Sequence, residues 1–192
     1  MEDYSMKDMT LPEHLGGHLN KTHTDRMTFL YLRDKYNIKT MVDVGCGPAD
    51  MVEIALGRGV DAIGVDGDWT LQETWNDLER PVVLHDFSKG VPSLPLDEYD
   101  LAWSVEFLEH LYEEFIPNFM SVFSRCKYVV CTAAPPGYPG HHHVNCQPQE
   151  YWVEKFAEYG LEYDAEETAY IRANSGMRKP FMQNTGMFFK RV

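Results

Sequence analysis

Apolar and polar positions along the chain alternate in a repeating scheme. A short run rich in β-branched residues is followed by a glycine or polar break, then by a segment with apolar residues three and four apart. Residues 40–44 (Thr-Met-Val-Asp-Val) predict a first strand, broken at Gly45 and Gly47, and a helix over 49–56 that Gly57 and Gly59 stop. The cycle repeats as strand 62–65, a helix over 69–78 capped by Asp68, strand 81–85 and strand 99–105. A helix restarted at Pro117 turns Phe119, Met120, Val122 and Phe123 inward, and strand 127–132 follows. Pro148 opens a helix over 149–159 that Gly160 ends, and 161–163 and 186–190 are the last two strands. Ahead of the first strand, a helix over 24–36 is expected with Thr24 as its cap and Met27, Leu30 and Tyr31 on its buried face. Segments 11–20, 91–95 and 133–146, rich in glycine or proline, read as loops. Strands alternating with helices predict an open α/β sheet, which binds ligands beyond the C-terminal strand ends.

The break after the first strand narrows the ligand. A dinucleotide fingerprint, G-x-G-x-x-G, is met at Gly45 and Gly47 but ends on Asp50, a carboxylate where a pyrophosphate would sit on a helix N-terminus. A second reading of the glycine pair is a tight turn with no ligand. Asp66, about 20 residues past the glycine turn at a strand end, has the spacing of a carboxylate that accepts both hydroxyls of a ribose. Its structural alternative, a helix cap, suits Asp68 better. The pattern Asp43-x-Gly45-Cys46-Gly47 resembles motif I of the class I S-adenosylmethionine-dependent methyltransferases. That resemblance implies an α/β fold: a doubly wound, mostly parallel seven-stranded sheet with an antiparallel last strand and helices on both faces. It implies S-adenosylmethionine as cofactor, with Asp66 and Gly67 at the ribose, Asp86 at the adenine amino group and Phe87 against the ring. Ser104-x-Glu106 at the end of the fourth strand completes the set. The likeness covers roughly 40–192, with Ala49 in place of the third glycine; the loop His-Val-Asn-Cys-Gln-Pro-x-Glu-Tyr-Trp is similar to small bacterial and phage-encoded members.

Methyl transfer needs alignment and, for a hydroxyl acceptor, a base. Glu106, Glu109 and His110 are expected at a helix beginning, where positions i, i+3 and i+4 share a face. The spelling resembles the metal motif of ubiquinone-biosynthesis O-methyltransferases and small-RNA 2′-O-methyltransferases. That likeness implies a divalent site of Glu106, Glu109, His110 and a fourth ligand from His142 or His143, with Mg²⁺ or Mn²⁺ favoured by the carboxylates. Two other readings stand beside it: His110 and His143 as metal-free catalytic bases, or the whole cluster as scaffold. His85 reads as packing. Gly16-Gly17-His18 and the 141–143 loop flank the open end of the sheet and are expected to close over the cofactor.

Composition then limits the partners. The 192 residues carry a net charge of −13, which makes long nucleic acid the least expected ligand; sugars, small hydroxylated metabolites and protein side chains are all open as acceptors, a small hydroxylated metabolite or sugar being the one expected. From residue 170 onward there are five basic and no acidic residues, either a solvated face or a contact for an anionic substrate. Cys46, Cys126, Cys131 and Cys146 form no CxxC pair; with no signal-like or membrane-length apolar stretch they predict a cytoplasmic protein. A single domain is expected, with 1–39 as a cap and 40–192 as the core. A catalytically inactive cofactor-binding partner or sensor is the alternative to an enzyme.

Overall fold

The computed structural model describes residues 10–192; the first nine residues of the expected N-terminal cap lie outside the described residues. Strands β1 (Thr40–Val44), β2 (Asp61–Asp66), β3 (Val82–Leu84), β4 (Tyr99–Ser104), β5 (Cys126–Cys131), β6 (Leu161–Tyr163) and β7 (Met187–Arg191) form one sheet in the order β3-β2-β1-β4-β5-β7-β6. The first five pair in parallel, and β7 runs antiparallel between β5 and β6. The order reverses between β1 and β4, and the switch point opens a crevice at their C-terminal ends.

The apolar runs read as buried on both faces, as parallel strands must be. Side chains alternate across the sheet. Val42, Val44 and Phe189 join Phe119, Phe123, Trp152 and Phe156 on one side. Met41 and Phe188 join Phe29, Leu32, Trp75 and Trp103 on the other. Each fully buried side chain of this size contributes roughly 1.5–3 kcal/mol relative to exposure. Helices α1 (Arg26–Tyr36), α2 (Asp50–Leu56), α3 (Gln72–Asp77), α4 (Ile116–Phe123) and α5 (Gln149–Ala157) stand where the pattern predicted helices, with α3 preceded by a 3₁₀ turn that Asp68 caps at Thr70.

Two expectations change. Helix α1 is capped by Asp25, not Thr24, and buries Phe29 and Leu32 while Met27 is 63% exposed. Fully buried Asp25 accepts from Thr28 N and Thr28 Oγ1 (3.1 and 2.7 Å) and from Gly176 N at 3.1 Å, so a distant segment sets the rotation of the helix. Between β6 and β7, where no element was expected, lie α6 (Ala165–Asn174) and α7 (Phe181–Thr185). Helix α6 buries Glu167 beside Thr168 and Ile171. Its carboxylate pairs with Lys35 and accepts from Tyr36 Oη at 2.5 Å, a partnership that no local apolar stripe announces.

Candidate active site

A cavity of about 310 Å³ lies beyond the ends of β1, β2 and β4 and takes in Asp43, Gly45, Gly47, Asp66 and Gly67. The glycine turn is held by Gly45 N and Cys46 N donating to Val65 O (2.9 and 3.2 Å). Gly45 has φ +74°, and a Cβ there would overlap the Phe107 ring. Ala49, in the third-glycine position, also adopts a left-handed backbone at φ +69°. Asp50 faces outward to Arg80 at 2.7 Å, which keeps its charge off the turn.

Carboxylates line this cavity. Asp43 is buried and its Oδ2 has no hydrogen-bond partner among the described residues. Burial, then the charge of Asp66, hold its carboxyl well above the ordinary range. Asp66 accepts Gly47 N at 2.7 Å and Asp68 N at 2.9 Å; burial raises its pKa and these two donors lower it, with the rise prevailing. Asp86 and buried Phe87 also line the cavity, Asp86 accepting Ser88 N at 2.8 Å. A buried carboxylate with no donor is costly, so an orphaned Asp43 oxygen fits a cationic or N–H-bearing ligand group.

Two expected contacts are corrected. Ser104 is buried beneath the cavity and donates to Val44 O at 2.9 Å, tying β4 to β1. The side chain of Cys46 turns into the core against Gly64, because consecutive residues of the turn face opposite ways. Neither lines the cavity.

The segment holding Gly16-Gly17-His18 lies across the cavity mouth. His18 Nε2 donates to Asp68 at 2.9 Å, His14 Nε2 to both oxygens of Asp86 at 3.1 Å, and Leu15 sits on Gly67. His141 meets it from the opposite loop, beside Gly17. His14 was not foreseen; its spacing of four from His18 beside paired glycines was the available signal.

The Glu-His cluster is rearranged relative to the helical expectation. Glu106 has φ +55° and precedes a single 3₁₀ turn, Leu108–His110, so positions 106, 109 and 110 share no helix face. Glu106 N donates to Thr132 Oγ1 at 2.8 Å, and that hydroxyl donates to Glu106 Oε1 at 2.9 Å, pulling residue 106 out of helical geometry. Burial raises its pKa to about 7. Glu109 is fully buried, and neither carboxylate oxygen has a hydrogen bond of good geometry among the described residues; burial, then Glu106, push its pKa well up against the backbone N–H groups of Glu109 and Ala134. Its carbonyl accepts Val144 N and Asn145 N, both at 3.0 Å, which draws the histidine loop onto the turn.

Glu109, His110 and His143 thereby converge, with one ligand atom from each within 4.8 Å of the others. Glu106 is outside that group, and His142 faces away toward Tyr112 and His14. His143 Nδ1 donates to Tyr138 O at 3.0 Å, leaving Nε2 with a free lone pair, as a metal-binding or basic imidazole requires. Burial, then the neighbouring His143, lower the pKa of His110 to about 4, so it is neutral at pH 7. One carboxylate and two imidazoles fit a first-row ion such as Mn²⁺ better than Mg²⁺, which prefers oxygen ligands. His85, expected to be packing, lines the cofactor cavity and bonds Gly90 O at 2.9 Å.

No family model matches the chain. The ubiquinone biosynthesis O-methyltransferase of Acinetobacter baylyi is 28% identical over 131 residues, 65% of this chain and 50% of that protein, so the match spans half the length of the relative. Among solved structures, a TehB-like S-adenosylmethionine-dependent methyltransferase of Corynebacterium glutamicum superposes with a TM-score of 0.58 at 20% identity, covering 80% of each chain. An O-methyltransferase from a Brevibacillus brevis polyketide synthase, complexed with S-adenosylhomocysteine, gives 0.57 at 16% identity over 87% of this chain and 72% of that one. The methyltransferase domain of a bacterial Hen1 gives 0.56 at 19% identity over 85% and 95%. The fold is that of the class I S-adenosylmethionine-dependent methyltransferases. Among the described residues, no helix is long and apolar enough to cross a membrane.

Proposed function

We propose that this chain is an S-adenosylmethionine-dependent methyltransferase acting on a hydroxyl of a small acceptor. The observation that carries the reading is the trio of carboxylates at successive strand ends, Asp43, Asp66 and Asp86, around a glycine turn, with Asp43 Oδ2 lacking a donor among the described residues. When bound, S-adenosylmethionine would supply a methyl carbon activated on a sulfonium sulfur for transfer to the acceptor oxygen. Asp43 would accept from its ammonium group, Asp66 from the ribose hydroxyls and Asp86 from the adenine amino group, with Phe87 available to the ring. His143, with Nδ1–H fixed on Tyr138 O, offers Nε2 to the hydroxyl proton.

The same three side chains, Glu109, His110 and His143, would hold a divalent ion, which lowers the pKa of a bound hydroxyl. Residues 1–39 serve as the cap of the core at 40–192, their described part latched through His14 and His18. Reversal of the latch admits the cofactor.

Calorimetry with S-adenosylhomocysteine tests the binding half, with micromolar affinity expected. Methyl transfer to a panel of phenols, catechols and sugars tests the catalytic half, with and without chelator. A well-folded chain that binds no S-adenosylhomocysteine refutes the reading.

A further inference from the structure

Behind the cofactor cavity is a second one of about 280 Å³, and Glu106, Tyr138 and Phe181 line both. Ala133, Ala134 and Met187 give it an apolar floor, and Trp152 forms a side. Its size, at the lower end of ligand pockets, suits a molecule of one or two rings rather than a polymer.

Two polar groups in this wall lack what they would pair with. Arg172, from α6, lines the cavity and spends Nε on Gly186 O and Nη2 on Gln149 Oε1, both at 2.7 Å. Both partners are neutral, and among the described residues no carboxylate pairs with it. The other cations of the C-terminal stretch are placed differently: Lys190 pairs with Asp164 at 2.5 Å, Arg191 with Glu98 at 2.8 Å, and Arg178 and Lys179 are exposed. The second group is the indole N–H of Trp152, fully buried and, among the described residues, without an acceptor. A guanidinium beside apolar walls, already oriented by two hydrogen bonds, is a carboxylate receptor.

We propose that this second cavity is the acceptor site and takes a small molecule with a flat apolar body and a carboxylate, held by Arg172, opposite the hydroxyl that faces the cofactor cavity. Its role as acceptor site rests on the methyl-transfer reading; recognition of the carboxylate by Arg172 does not. The charge then works as a ruler. It fixes one end of the acceptor and thereby selects which hydroxyl reaches the shared wall at Glu106.

The probes are 3,4-dihydroxybenzoate and its amide, and 3,4-dihydroxycinnamate and its amide, titrated by ligand-observed NMR in saturating S-adenosylhomocysteine. At least one acid should bind ten-fold or more tightly than its amide. Arg172→Gln should reduce that preference to two- or three-fold or less, and Arg172→Lys should restore part of it, with S-adenosylhomocysteine affinity unchanged. Equal binding of acid and amide to the native chain, or a preference that survives Arg172→Gln, overturns the proposal. Because Arg172 also ties α6 to Gly186, Ala134→Leu provides an independent arm: it fills the cavity without touching the arginine. Acid binding should fall at least ten-fold in that variant, and acid binding at native strength overturns the proposal. An acid preference in a chain that binds no S-adenosylhomocysteine supports the anion site and refutes the methyltransferase reading, so the two failures are distinct.

Discussion

Replacing Gly45 by alanine separates two costs that the glycine turn carries. Its φ of +74° is a conformation that an L side chain enters at about 1 kcal/mol. The added methyl also meets the Phe107 ring, overlapping Cδ2 with Cγ at 2.8 Å and Cβ at 2.9 Å. That ring is wedged edge-on between Phe87 and Phe119, so its retreat disturbs packed neighbours, at about 1–3 kcal/mol. Gly59 supplies the control, with φ +75° and no atom within 4 Å of the position a Cβ would take. Urea denaturation should show Gly59→Ala less stable by about 1 kcal/mol and Gly45→Ala by about 2–4 kcal/mol, with unchanged m-values. Adding Phe107→Leu to Gly45→Ala should recover about 1 kcal/mol of coupling in a double-mutant cycle. Equal losses at Gly45 and Gly59, or a cycle with no coupling, would refute the assignment of close packing between turn and ring.

Asp66→Ala should weaken S-adenosylhomocysteine roughly tenfold to hundredfold by calorimetry, since a paired hydrogen-bond acceptor is removed; undiminished affinity in the folded variant removes Asp66 from the ribose site. Glu109→Gln and His143→Ala should each lower Mn²⁺ affinity at least tenfold by electron paramagnetic resonance, and a chain with no affinity for Mn²⁺ or Zn²⁺ has no metal centre there. Glu106 titrates from 4.5 when unfolded to about 7 when folded, so its contribution is fully present below pH 4.5 and is lost as pH rises through 7. The loss is about 3 kcal/mol. Glu106→Gln should accordingly flatten the fall in stability between pH 5 and pH 8, and an unchanged slope contradicts the buried placement of this carboxyl.

What the sequence determined by itself is the local part of the architecture. Strand, glycine turn and acidic strand end are read within 20 to 45 residues of one another, and backbone sterics and apolar periodicity are properties of consecutive residues. Asp43, Gly45, Gly47, Asp66, Gly67, Asp86 and Phe87 consequently lie at one cavity, as their strand-end positions and the family resemblance implied. Tertiary structure decided the rest, because the deciding partners are far away in the chain. Thr132 pulls Glu106 out of the helical register that its spelling suggested. The Glu109 carbonyl, by holding residues 144 and 145, selects His143 over His142. Buried Asp25 sets which face of α1 is inside by bonding to residue 176. Arg172 illustrates the same rule most clearly. In the sequence it is one of five C-terminal cations, and only the packing of α6 and α7 between β6 and β7 sets it apart, placing it in a cavity wall where, among the described residues, no carboxylate pairs with it. A buried charge is stabilised or left unpaired by what the fold brings to it across space, and neither hydropathy nor spacing along the chain records that.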